Sequence, residues 1–183
     1  MQTLEQATKR ASGLYWLAFL LTGHRGLSAD VTLEALEGLV VPDDANLLFS
    51  AWMLAWSRRV FIAKALVSIR DQLAASATRT ASRGAEKAAL PPRDWTLDGD
   101  TTKAQLERAL LAIDVFPRCA LLLSIFERVA QEDVAILLDS ERDLVRKAQT
   151  IGLLELTRNL ARMQGRTFTA TKSPVVTSEM LHV

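Results

Sequence analysis

Apolar residues recur along this chain at steps of three and four, and nowhere alternate long enough to make a strand of useful length. Thr3 to Leu21 reads as an amphipathic helix that turns strongly apolar after Gly13. Leu14, Leu17, Ala18 and Leu21 form one stripe, widened by Tyr15, Trp16, Phe19 and Leu20, the pattern of a helix buried between others. Gly23 is placed for a left-handed cap. Ser28 is expected to cap a second helix, Ala29 to Leu39, with Asp30 near its positive end and Val31, Ala35, Leu36 and Leu39 inward. Val41-Pro42-Asp43-Asp44 breaks the pattern. A third helix is expected from Ala45 to about Ala77, with Leu48, Trp52, Ala55, Arg59, Ile62 and Leu66 at near-helical steps. Trp52 and Trp56 are four apart and share a face. Core packing is the plainer reading for them, and base stacking its rival.

Small residues, Ser82-Arg83-Gly84 and Leu90-Pro91-Pro92-Arg93 then read as a linker, with Trp95 expected to dock on a neighbouring domain. Thr102 with Gln105 resembles a capping box and opens a helix to Asp114. Pro117 to Arg162 reads as three helices joined by very short turns. Pro117 is expected to open the first, with Ala120, Leu121, Ser124, Ile125 and Arg128 along it. Gln131 to Leu138 is the second, with Val134, Ala135 and Leu138 inward. Asp139-Ser140-Glu141 is a break, and Leu144, Val145, Ala148, Ile151, Leu154 and Leu156 carry the third. A short helix, a tight turn and a longer helix is the helix-turn-helix arrangement, whose second helix can enter a DNA major groove. The expected architecture is all-α: a three-helix domain at 1–77, a linker at 78–102, a four-helix domain at 103–163 and a flexible tail at 164–183.

Charge tempers the nucleic-acid reading. The chain holds 22 basic and 21 acidic residues, for a net charge of +1. Residues 1–73 hold seven of each sign and residues 103–163 nine of each, so neither half is a basic module. Affinity for nucleic acid rests largely on cations that neutralise phosphates, so a strong stand-alone DNA binder is not expected. No apolar run approaches the roughly 20 residues of a membrane span. No secretory signal is expected, because Lys9 and Arg10 are not followed by an unbroken apolar segment. The single cysteine, Cys119, excludes an internal disulfide, suits the cytoplasm and reads as a small core residue. With His24 and His182 far apart, no base, nucleophile or metal site assembles. No catalytic residue, metal, cofactor or small-molecule substrate is expected.

Two stretches resemble the small extracytoplasmic-function sigma factors of bacterial RNA polymerase. Leu14-Tyr15-Trp16-Leu17-Ala18-Phe19-Leu20-Leu21-Thr22-Gly23-His24-Arg25, with Asp30, Glu34 and then Ala51-Trp52-Met53-Leu54, looks like the family's region 2. Pro117-Arg118-Cys119, Phe126-Glu127-Arg128, Glu132 to Leu138 and Val145-Arg146-Lys147 look like region 4, the promoter-binding helix-turn-helix. The resemblance covers most of residues 10–75 and 103–163. It implies that region 2 grips a clamp helix of the polymerase and melts the minus-ten element. Region 4 would bind the polymerase flap and read the minus-thirty-five element. Asp30 and Glu34 would then face core RNA polymerase, and Arg58, Arg59, Lys64, Arg142, Arg146 and Lys147 would contact promoter DNA. An anti-sigma protein is the regulatory partner the resemblance implies.

The chain also departs from the family. Leu33 stands where a glutamine is common, Arg58-Arg59 where the family has Arg-Asn, and Ala63 where it has an aspartate. The arginine run ending that helix is reduced to Arg70. Glu141 and Asp143 open the recognition helix, where carboxylates compete with phosphate for the free N–H groups. Two readings therefore stand. One is a working sigma factor that directs polymerase to promoters. The other is a relative that kept the fold, lost promoter recognition and acts through protein contacts.

Overall fold

The computed structural model describes residues 2–37, 47–83 and 101–165. Every regular element among them is a helix. The order is α1 (Gln2–Thr22), α2 (Arg25–Glu37), α3 (Leu47–Val67), α4 (Arg70–Ser82), α5 (Lys103–Leu111), α6 (Val115–Leu121), α7 (Gln131–Leu137) and α8 (Arg142–Met163), with a π-helical segment, Leu122–Phe126, prolonging α6. The break at Val41 to Asp44, Leu39, Trp95, the linker residues 84–100 and the tail from 166 onward lie outside the described residues, as does the Trp52 side chain.

Helix α6 is the centre. Phe116 to Leu123 are all buried, and α6 packs against α1, α4 and α8. One cluster of buried side chains runs through both halves, from Leu17 and Leu20 of α1 through Phe61 and Leu66 of α3 to Val145 and Leu160 of α8. Helix α4 joins the halves. The Phe116 amide donates to the buried Ser76 hydroxyl at 2.9 Å, and Arg79 forks onto both oxygens of Asp114 at 2.8 and 3.0 Å. Arg79 is the first cause of an Asp114 carboxyl held below the usual range.

Several boundaries differ from the sequence expectation. Helix α2 opens at Arg25, and Ser28 lies inside it rather than capping it. Ser28 is buried, donates to the His24 carbonyl at 2.6 Å and meets Thr22 at 3.0 Å, so it ties the end of α1 to the start of α2. Gly23 takes the left-handed cap, with φ at 74°. The expected helix from Ala45 to Ala77 is interrupted at Ser68-Ile69, and α4 continues to Ser82. Helix α6 opens at Val115, ahead of Pro117, and Asp114 caps it, accepting from the Val115 amide at 2.9 Å. Thr102 and Gln105 form the expected capping box.

The π-helical segment corrects one inward row. The Glu127 amide bonds the Leu122 carbonyl at 2.9 Å, five residues back, so each hydrogen-bonded loop of the segment encloses one residue more than in an α-helix. Leu122 and Leu123 thereby take the core, while Ile125 is 49% exposed and Arg128 leaves the helix at φ 54°.

Helices α6 and α8 cross closely at Gly152. A Cβ there would sit 2.7 Å from the Pro117 carbonyl oxygen and 3.1 Å from Leu121. Alanine gains helix propensity, but the neighbour in the way is backbone. Gly152→Ala is expected to cost a net of roughly 1–2 kcal/mol, read as a lower Tm; an unchanged Tm would show that the two helices part freely.

Candidate polymerase and nucleic-acid interface

Helices α7 and α8 give the short helix, tight turn and longer helix expected from the sequence. Four residues, Leu138–Glu141, separate them. Asp139 adopts φ 48°, a left-handed conformation that aspartate tolerates better than most residues. The Ser140 amide reaches back to the Ala135 carbonyl at 3.0 Å and the Leu138 amide to Val134 at 2.9 Å, which closes α7. Val134 and Leu138 are buried and Ala135 half-buried. On α8, Val145, Ala148, Leu154 and Leu156 are buried, while Leu144 and Ile151 are half-buried. Arg142, Asp143 and Arg146 face solvent at its start.

Each of the six cations assigned to DNA lies against an acceptor of this chain. Arg58 forks onto Glu127 at 2.5 and 2.8 Å, and this bond is the first cause of its raised pKa. Arg59 meets Asp133 at 3.4 Å. Lys64 pairs with Glu34, and Arg142 pairs across the turn with Glu132. Arg146 reaches Asp143 at 3.7 Å. Lys147 donates to the Ala81 carbonyl at 3.0 Å and the Arg83 carbonyl at 2.5 Å, at the end of α4. Three further arginines of the first half, Arg70, Arg79 and Arg83, meet Asp139, Asp114 and Glu155 of the second. Among the described residues, each ion pair between the halves thus sets an arginine of the first half on a carboxylate of the second. These acids went unassigned in the sequence, because an exposed glutamate or aspartate on a helix carries no local mark of a distant partner.

The acids assigned to the polymerase lie one helical turn apart on α2. Asp30 is exposed, and Glu34 is exposed while paired with Lys64. Between and beside them Leu33 is 60% exposed and Leu36, expected inward, is 38% exposed. Trp56 is 53% exposed, so core packing does not describe it.

Cys119 is wholly buried, and burial pushes its thiol up to about 12, which suits a core residue and not a nucleophile. Among the described residues no cluster of histidine, cysteine, aspartate and glutamate could hold a metal ion. Among them, too, no helix is long and apolar enough to cross a membrane.

No protein family, curated protein or solved structure matches the chain.

The Arg58–Glu127 pair is mostly screened from water on the glutamate side, which is 12% exposed, and open on the arginine side, which is 44% exposed. A double-mutant cycle of Arg58→Ala and Glu127→Ala is expected to give a coupling of about 1 kcal/mol at low salt, shrinking at about 1 M salt. A coupling of zero at low salt would mean that the pair does not hold the halves.

Proposed function

We propose that the chain is a sigma-factor-like transcription initiation protein that binds core RNA polymerase and directs it to promoter DNA. The observation that carries this reading is the exposed strip of α2, where Asp30 and Glu34 flank the solvent-facing Leu33. A strip that mixes carboxylates with apolar surface suits a basic and apolar partner helix better than it suits phosphate. The helix-turn-helix of α7 and α8, following α2 in family order, supplies the DNA-reading part of the reading. The work is binding and positioning, with no catalytic chemistry in the chain, and its place is the bacterial cytoplasm. An anti-sigma protein that covers α2 would regulate it.

A second reading is favoured by one observation. Every cation assigned to DNA already has an acceptor within the chain. A relative that kept the fold and works only through protein contacts would have that property. For the first reading, these contacts have to open before Arg58, Arg59 or Lys147 reaches phosphate.

Gel filtration with core RNA polymerase tests the α2 contact. The wild-type chain is expected to co-elute, and Asp30→Arg with Glu34→Arg to abolish co-elution while helix content is unchanged. A folded wild type that elutes alone would sink both the α2 contact and the polymerase reading. Titration with duplex DNA at several salt concentrations separates the two readings. Under the first, Arg146→Ala with Lys147→Ala weakens binding and lowers the salt slope by about two. An unchanged slope removes both residues from the DNA interface, and a wild type without affinity leaves the protein-contact reading.

A further inference from the structure

Helix α8 carries two arginines that nothing in the described structure holds. Arg158 and Arg162 are one turn apart and share a face. Neither makes an ion pair or hydrogen bond among the described residues, whereas the arginines at the start of α8 are both paired. The two free guanidinium groups line a hollow of about 320 Å³, together with Arg83 from the end of α4 and Asn159, Asp114 and Glu155. This hollow lies where α4, the α5–α6 corner and the far half of α8 meet, on a different part of α8 from the residues assigned to DNA.

Its charge is positive once the pairs are counted. Asp114 is forked onto by Arg79 at 2.8 and 3.0 Å, and Glu155 is held by Arg83 at 2.6 Å. Both carboxylates are thus neutralised by their own arginine, and the charge of Arg158 and Arg162 is left over. Asn159 is fixed from behind, donating to the Ala109 carbonyl at 3.0 Å. The lining offers guanidinium forks, which match phosphate oxygens two at a time. Among the described residues it holds no aromatic ring on which a base could stack. The volume sits at the small end of ligand sites, which run from roughly 300 Å³ upward.

We propose that this hollow is a binding site for a compact phosphate-bearing dianion or polyanion, recognised through its phosphate groups by Arg158 and Arg162, with Arg83 also lining it. Inorganic pyrophosphate is the simplest probe of that chemistry. Arg83 also gives its backbone carbonyl to Lys147, so an anion bridging Arg83 to α8 would reinforce the docking of α4 on α8. The site stands on its own lining and does not depend on the sigma-like reading.

The test is calorimetric titration of the full chain with pyrophosphate at constant ionic strength, with sulfate and short duplex DNA as parallel titrants. A single saturable site for pyrophosphate is expected, tighter than for sulfate, and with it a rise in Tm. Arg158→Ala with Arg162→Ala is expected to weaken it roughly tenfold or more, as loss of charge-assisted hydrogen bonds does. Lys9→Ala, which removes an exposed charge from α1, leaves it unchanged. Arg158→Lys with Arg162→Lys keeps the charge and loses the fork, and binds with intermediate strength; it serves as the readout if the alanine variant melts early. No saturable pyrophosphate binding, or binding indifferent to both double substitutions, overturns the proposal. So does duplex DNA that binds through Arg158 and Arg162 and is not displaced by pyrophosphate, because the hollow would then be part of a nucleic-acid surface.

Discussion

The guanidinium of Arg118 sits at the ends of two helices and holds them to a third. It projects from α6, is 4% exposed, and donates to the Leu111 and Ile113 carbonyls at 3.3 and 3.1 Å and to the Leu21 carbonyl at 3.4 Å. These carbonyls close α5 and α1, where a helix has no partners of its own to offer and carries its partial negative charge. Among the described residues no carboxylate is bonded to this cation, and its Nε has no partner. Desolvation accordingly pulls its pKa down. With the Asp114 charge near but not bonded to it, this buried cation is held chiefly by the carbonyl dipoles that end α1 and α5, which ties both helices to α6. Gly23 lies against the same group, with a Cβ position 3.3 Å from Nη2, so the cap of α1 also leaves room for it.

Around that centre the charges are sorted. The chain is almost neutral overall, yet the arginines facing the seam come from α3 and α4 and the carboxylates from the second half. The arginine of each pair is well exposed, and such pairs individually contribute little to stability. Their shared polarity does something else: it fixes which faces meet, because a slip of α4 along α6 would set unlike partners apart. The apolar cluster supplies the adhesion and the ion pairs supply the register.

The parts of the fold that depend on near neighbours in the chain were legible in the sequence. The Thr102–Gln105 box, the left-handed Gly23, the short turn before α8 and the inward faces of α7 and α8 each rest on residues within a few positions of one another. The parts that failed depend on how side chains pack in space and not on residue type alone. Ser28 looks like a cap until Thr22 is seen beside it. Pro117 looks like a helix start until Asp114 and Ser76 are found closing the turn before it. The π-helical segment has no sequence mark, since it arises from packing and not from a residue type. The same limit applies to the candidate sites. Residue type and spacing singled out Arg146 and Lys147, but the free cations of α8 are at its other end. Only the placement of Glu132, Asp143 and α4 separates the two groups.

The chain's only thiol is sealed in this core and resists ionisation. That makes the protein a natural single-reporter scaffold. A cysteine introduced at any exposed position would be the sole accessible thiol offered to a maleimide, and no native residue would have to be removed first. Fluorophores or spin labels placed one on each side of the seam would therefore report the separation of its two halves from an otherwise unaltered core.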